Sequence, residues 1–299
     1  MEQKTFSLQD LIMGKLTDLE KVEIISKYKT GKFNCQQLAD QYKISRMAVR
    51  QFLKRRNISI NNNKAILARK YSLDENYFDI INTEEKAYFL GLLYADGCNQ
   101  PQRNTVTIQL QESDKEILEK FKLEINCNKP LKFYNRNIKN PKWKNDFKLE
   151  INSSIFSKRL ESLGCIKNKS LILKFPSIEQ VAENFQKDFI RGYFDGDGCV
   201  GIYQNKSKIG KRGYKNITCN ITSSLWVCEE IKKILTKNGV NTSIVKHPNG
   251  KATRVLVLGG NKNAIKFLNW LYEDSKIYLK RKYDKYIEIK KYLKERYGY

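Results

Sequence analysis

Phe89-Leu-Gly-Leu-Leu-Tyr-Ala-Asp-Gly97 and Phe189-Ile-Arg-Gly-Tyr-Phe-Asp-Gly-Asp-Gly198 are two versions of one phrase, and each runs straight into a cysteine, Cys98 or Cys199. Each is a short apolar helix pattern that closes on an acidic residue and a glycine. Gly192 stands 101 residues after Gly91, and Asp197 stands 101 residues after Asp96. A constant offset marks a duplicated unit. A duplication that delivers one carboxylate per copy makes the pair Asp96 and Asp197 the candidate centre of the molecule.

Small residues recur four apart within each phrase: Gly91 and Ala95, then Gly192 and Gly196. Residues four apart share a helix face, so each helix presents a stripe with almost no side chain. Two such helices can pack with their backbones unusually close. Their ends, Asp96 and Asp197, then meet. Gly97 and Gly198 suit a left-handed turn that stops each helix. A carboxylate at a helix C-terminus faces the negative end of the dipole, and a second one beside it adds repulsion. The arrangement makes sense around an oxygen-seeking divalent cation, with Mg²⁺ bridging two carboxylates and a phosphate. An Asp-Gly pair after an apolar helix is otherwise a common cap and turn, but here it occurs in register in both copies.

The chain of 299 residues carries 56 Lys+Arg against 32 Asp+Glu, a net charge of +24. Such a field draws in a polyanion and makes binding fall steeply with salt, so double-stranded nucleic acid is the expected partner. Abundant Lys, Asn, Ile and Tyr would also follow from AT-rich coding DNA. The seven cysteines, Cys35, Cys98, Cys127, Cys165, Cys199, Cys219 and Cys228, form no Cys-x-x-Cys pair. They are expected as buried, reduced thiols, neither a disulfide framework nor zinc ligands. No signal peptide pattern and no membrane-length apolar run occur, so a soluble, intracellular monomer is expected.

Three domains and a linker are expected: a first domain over 1–58, the linker over 59–81, a first repeat over 82–180 and a second over 181–299 with a basic C-terminal helix. In the first, Leu19, Val22, Ile25 and Tyr28 follow helical spacing, Asn34 caps a helix from Cys35, and Ser45 caps another from Arg46. Arg46, Arg50, Gln51, Lys54 and Arg55 point outward from that last helix. The stretch resembles the helix-turn-helix domains of transposases, resolvases and phage regulators, which implies DNA binding. A three-helix bundle for protein contact would look similar.

Each repeat reads as helix, strands, helix. Val106, Ile108 and Leu110 share one strand face while Thr105, Thr107, Gln109 and Gln111 share the other. In the second copy Ile217, Cys219 and Ile221 oppose Asn216, Thr218, Asn220 and Thr222. A face of Thr, Asn and Gln can donate and accept at base edges in a major groove, and any half-exposed strand also carries a polar outer face.

Both phrases resemble LAGLIDADG motifs, and over about residues 82–290 the chain is similar to monomeric two-repeat LAGLIDADG homing endonucleases. The resemblance implies an α+β fold: a duplicated αββαββα saddle with pseudo-two-fold symmetry, preceded by the small all-α domain. It implies metal binding by Asp96 and Asp197, with Mg²⁺ or another divalent cation. It implies site-specific hydrolysis of one phosphodiester in each strand, a staggered break and mobility of a genetic element, whether in a bacterium, a phage-infected cell or an organelle. It places a lysine of each repeat near the scissile phosphates, and Lys169 and Lys282 stand in matching segments. Glu112 and Ser223 fall where the family keeps a water-orienting polar residue, although they differ in type. Asp195 occupies a variable position, facing Tyr94 in the other copy, and is assigned no metal. The same fold without cleavage serves transcription regulators and maturases that bind intron RNA, and these remain alternatives.

Other nuclease classes fit poorly. His247 is the single histidine, Gly201-Ile202-Tyr203 lacks a following Tyr-Ile-Gly, and Asp146-Phe147-Lys148 lacks a Pro-Asp partner.

Overall fold

A computed structural model describes residues 16–30, 33–58, 70–166, 171–204, 215–250 and 252–298. The chain divides into two compact units, Met1–Ser72 and Leu73–Tyr299.

The first unit contains α1 (Asp18–Lys29), α2 (Cys35–Gln41) and α3 (Arg46–Arg55). Thr17 with Glu20, and Asn34 with Gln37, form reciprocal capping boxes, while Ser45 accepts from the Ala48 amide. These caps satisfy amides that a helix start leaves without partners. Ile24, Tyr28, Leu38, Ala39, Val49 and Leu53 form the small core. The expected inward face of α1 is only partly right: Tyr28 is buried, but Leu19 is 84% and Val22 64% exposed. With Leu16, Ile24 and Tyr28 as the buried set, the helix is turned by about a residue's rotation from the periodicity read in sequence.

The second unit begins earlier than expected. Residues 59–69 of the expected linker lie outside the described residues, but Tyr77, Phe78 and Ile81 are buried in the main core. Tyr77 donates to Glu124, and Arg159 holds the Phe78 and Asp79 carbonyls. The polar sequence of 70–76 hides this aromatic anchor.

Next come α4 (Glu84–Asp96), β1 (Gly97–Gln100), β2 (Thr105–Gln111), α5 (Lys115–Glu124), β3 (Lys132–Tyr134), β4 (Asp146–Asn152) and α6 (Ser154–Ser162). The order recurs as α7 (Glu183–Asp197), β5 (Gly198–Gln204), β6 (Lys215–Ser223), α8 (Leu225–Lys237), β7 (Ser243–Lys246), β8 (Arg254–Leu258) and α9 (Asn261–Tyr272), followed by α10 (Lys280–Tyr297). Each copy forms a four-stranded antiparallel sheet, ordered β1-β2-β4-β3 and β5-β6-β8-β7. The identical order is the duplication expressed in topology. The strand β1 was not anticipated, since its four residues, Gly-Cys-Asn-Gln, carry no apolar alternation. The cysteines that open the two sheets, Cys98 and Cys199, are exposed and not buried as expected, because they lie on the outer faces of β1 and β5.

The alternation within β2 and β6 fixes which face is inward. Val106, Ile108, Leu110, Ile217, Cys219 and Ile221 are buried, and their neighbours remain partly accessible. Helices α4 and α7 are buried on nearly every side over Ala87–Tyr94 and Asp188–Asp195; α4 is apolar around its circumference there, whereas α7 buries Asp188, Arg191 and Asp195 among its apolar residues. They form the centre of this unit.

Candidate active site

The two central helices touch backbone to backbone. A Cβ placed on Gly91 would lie 2.0 Å from the Phe189 carbonyl oxygen, and one on Gly192 would lie 1.9 Å from that of Tyr88. Neither position has room for a methyl group. Near the helix ends, a Cβ on Gly196 would lie 2.2 Å from the Ala95 Cβ and 2.9 Å from Asp96 Oδ2. The Asp96 carboxylate therefore rests against the backbone immediately preceding Asp197. Both aspartates end their helices and are exposed to solvent.

The glycines that follow do not make the expected left-handed turn. Gly97 has φ −77° and Gly198 φ −80°, both extended. Their requirement is steric: a Cβ on Gly97 would lie 2.5 Å from the Leu93 oxygen, and one on Gly198 2.2 Å from the Phe194 ring. Each strand leaves hard against the last helical turn, which brings the sheet up to the acid.

A lysine offsets the negative end of α7. Lys282, in the first turn of α10, is 4% exposed and donates from Nζ to the Phe194 carbonyl and, at 2.6 Å, to that of Gly198. Burial holds its pKa down to about 8, against the opposing pull of Asp195 and Asp96. Lys169 lies outside the described residues.

Two further polar groups at this centre carry no motif signal. Asp195 is fully buried and accepts from Tyr88 Oη (2.8 Å), Tyr272 Oη (2.5 Å) and the Leu279 amide (2.7 Å). Burial raises its pKa, opposed by the Lys282 charge and these donors. Its role is to lock α7 to α4 and α9. Arg191, also fully buried, donates to the Ile277 and Leu271 carbonyls, to Glu84 at 2.6 Å and to Asp188 at 2.9 Å. Only Asp195 drew notice in the sequence; Arg191 sits where the first copy has Leu90, and that mismatch within an apolar helix is the signal that marks it.

Tyr193 connects Asp197 to the sheet. Its hydroxyl lies 2.7 Å from Ser223 Oγ, and burial, together with the nearby Asp197 charge, raises its pKa far above the usual value. The corresponding residue of the first copy is Leu92. Glu112 is held differently from Ser223: its carboxylate accepts from Asn145 Nδ2 at 3.1 Å. Beside Asp197 an open cleft of about 500 Å³ is lined by Tyr94, Tyr193, Ser223, His247 and Thr253.

Among the described residues no three His, Cys, Asp or Glu side chains converge on one point. Asp96 and Asp197 fit a Mg²⁺-type ion all the same, because such an ion keeps several waters and is held by one or two carboxylates plus substrate phosphate.

The register places Thr105, Thr107, Gln109 and Gln111 on one sheet face with Cys98 and Gln100 of β1 and with Asp146 and Lys148 of β4. Gln109 donates to Asp146, and Gln111 to Asp114. In the second sheet Asn216, Thr218, Asn220 and Thr222 share a face with Cys199, Gly201 and Tyr203 and with Val255 and Val257. On α3, Arg46, Lys54 and Arg55 are exposed, and Arg50 and Gln51 are half-buried beside Ala48, Val49, Phe52 and Leu53. Among the described residues no helix is long and apolar enough to cross a membrane.

The profile of the LAGLIDADG-like domain matches residues 184–271, from the second motif helix to α9. The structure is similar to that of the I-LtrWI LAGLIDADG homing endonuclease bound to target DNA, with 13% identity, coverage of 71% of this chain and 91% of that one, and a TM-score of 0.51. I-SmaMI bound to an uncleaved DNA target in the presence of calcium ions aligns at 14% identity over 71% of this chain and 92% of its own, with a TM-score of 0.49. The meganuclease I-AabMI bound to uncleaved DNA aligns at 12% identity over 70% and 91%, with a TM-score of 0.47. No curated protein sequence matches the chain. The chain thus has the fold of the LAGLIDADG homing endonucleases, and its second repeat matches the LAGLIDADG-like domain.

Proposed function

We propose that the protein is a site-specific, divalent-metal-dependent DNA endonuclease that hydrolyses one phosphodiester in each strand of a duplex and leaves a staggered break. The observation that carries this reading is the contact between Asp96 Oδ2 and Gly196, which sets two exposed carboxylates at adjoining helix ends. Two acids gathered at negative helix ends destabilise the fold, so their retention in both copies calls for a cationic guest. The net charge of +24 and the polar sheet faces supply the match to DNA.

Asp96 and Asp197 would hold the ion, with phosphate and water completing its shell. When bound, Mg²⁺ polarises the scissile phosphate and stabilises the leaving oxygen. Tyr193, held 2.7 Å from Ser223 Oγ, stands beside Asp197 and would orient that acid before DNA arrives. Lys282 clamps the two carbonyls beneath it and supplies positive charge without reaching into solvent, which makes it a positioning residue. Lys169, which lies outside the described residues, keeps the assignment that the resemblance implies, stabilising charge at the scissile phosphate of the first copy. The polar faces carrying Thr105, Thr107, Gln109, Gln111, Asn216, Thr218, Asn220 and Thr222 would read base edges in successive major grooves. The α2–α3 pair, acting as a helix-turn-helix through Arg46, Arg50, Gln51, Lys54 and Arg55, would extend the footprint.

Incubation with a randomised duplex library and Mg²⁺, followed by sequencing of cut ends, tests the assignment. A single enriched site with staggered ends is expected. Specific binding without cutting would shift the reading to a regulator.

A further inference from the structure

The two copies differ in the connection from their third strand to their fourth. In the second copy it spans residues 247–253, whereas in the first it spans residues 135–145, Asn-Arg-Asn-Ile-Lys-Asn-Pro-Lys-Trp-Lys-Asn. This longer arch contains four cations, Arg136, Lys139, Lys142 and Lys144, and no acidic residue. It also exposes two large apolar side chains, with Ile138 at 81% and Trp143 at 51%. A tryptophan held in water by a solvated loop needs a reason.

The arch is built rather than loose. Asn145 Oδ1 accepts from the Arg136 amide (3.1 Å) and the Asn137 amide (3.4 Å), closing its base. Asn145 Nδ2 donates to Glu112, and the Glu112 amide donates back to the Asn145 carbonyl at 2.8 Å. At the tip, Asn140 Oδ1 accepts from the Lys142 amide, and the Trp143 amide donates to the Asn140 carbonyl at 2.9 Å. Arg136 is anchored to Asp146 and Lys144 to Gln111, while Lys139 and Lys142 stay exposed. Ordering the loop in advance removes an entropic cost from binding.

Its position is equally specific. Gln111 pairs with Asp146 at the root of the arch, and Ile108 pairs with Gly97, the residue after Asp96. Three residues of strand separate them, about 10 Å, in the direction opposite to the course of β1. The arch therefore rises on the side of the sheet where α4 ends, not at the far tip of the β1–β2 hairpin.

We propose that this arch is a base-stacking wedge: Trp143, with Ile138 as the arch's other exposed apolar side chain, inserts against an unstacked nucleobase of the first-repeat half-site while Lys139 and Lys142 bracket the flanking phosphates. The proposal rests on the DNA-binding reading above. An aromatic face flanked by lysines is the chemistry that engages exposed bases, and apolar wedges of this kind kink a duplex. The equivalent connection of the second copy, 247–253, contains no tryptophan, so the distortion is assigned to one half-site.

The test uses the full-length protein and a duplex selected by binding from a randomised pool, with 2-aminopurine placed at successive positions across the first-repeat half-site. Wild type should raise the fluorescence at one step near the cut, and Trp143→Ala should abolish the rise and weaken binding about 5- to 150-fold. Trp143→Phe should retain much of both. Lys139→Ala and Lys142→Ala should each lower the salt slope by about one and leave the fluorescence step in place. An unchanged affinity for Trp143→Ala, or a weakened one with no fluorescence step at any position in wild type, overturns the wedge. Failure of wild type to select any duplex instead overturns the DNA-binding reading itself.

Discussion

The Tyr88 hydroxyl, from the first motif helix, donates 2.8 Å to the buried carboxylate of Asp195 in the second. One copy thus completes the hydrogen bonding of the other, and a charge sealed at the helix interface is tolerated because three donors surround it. Tyr88→Phe keeps the ring and deletes one donor. It should cost about 1–3 kcal/mol, read as a lower midpoint in urea denaturation. An unmoved midpoint would mean the bond contributes nothing net.

The glycine contact makes a sharper prediction. Gly192→Ala puts a carbon where the Tyr88 carbonyl oxygen already stands, and Gly91→Ala does the same at Phe189. Either must separate the helices, at a cost of about 1–3 kcal/mol or more, and must shift Asp96 relative to Asp197. Loss of stability and of cleavage together is expected from denaturation and nuclease assays on one preparation. A variant that keeps both would contradict the close approach.

Lys282 links stability to pH with a definite sign. Its folded pKa of about 8 lies below the ordinary 10.5, so between those values the unfolded chain holds a proton that the folded chain has released. Stability attributable to this group therefore rises with pH across that window, by about 3 kcal/mol. The full burial cost applies below about pH 8. Lys282→Met lacks the titrating group, so the stability difference between wild type and variant should move toward wild type from about pH 7 to about pH 10. A difference that is flat across this range would show that the ammonium is not buried as described.

The acids and their support should separate by phenotype. Asp96→Asn and Asp197→Asn should each abolish cleavage while DNA affinity in the absence of metal stays within a few-fold. Tyr193→Phe removes the hydroxyl beside Asp197 but has no equivalent in the first copy, where Leu92 stands. A hydroxyl that orients a charged carboxylate contributes about 1.5–3 kcal/mol, so one strand should be cut about tenfold more slowly and nicked duplex should accumulate. Equal slowing of both strands would argue for a general packing defect.

Removal of residues 1–58 takes away the three described helices of the first unit, including the cationic face of α3. Binding should weaken and the protected site should shorten on one side, as seen by footprinting. An unchanged footprint would leave that unit without a role in DNA recognition.

Much of this was legible in the residues because it depends on local periodicity. The alternation in β2 and β6, the caps at Asn34 and Ser45 and the repeated phrase all act over a few residues, and each appears where the pattern put it. The rotation of α1 was not legible, since Leu19, Val22, Ile24, Ile25 and Tyr28 support two helical faces and packing against α2 and α3 selects one. The strand β1 was missed because its pairing with β2, not its own composition, makes it a strand.

At the site the division is similar. Asp96 and Asp197 stood out because duplication repeats them, and the small-residue stripe foretold a close helix pair. The reason for Gly97 and Gly198 did not follow from sequence: a helix-ending glycine suggests a backbone angle, whereas here crowding by Leu93 and Phe194 excludes a side chain. Tyr193, Arg191 and the partners of Asp195 were invisible because their meaning lies in residues 30 to 107 positions away. The linear chain determined the repeat, the alternating faces, the charge and the two acids, all of which are properties of residues and their spacing. Only the tertiary structure decided which buried polar groups find partners, since burial makes each hydrogen bond obligatory and folding alone brings distant donors to the acceptor.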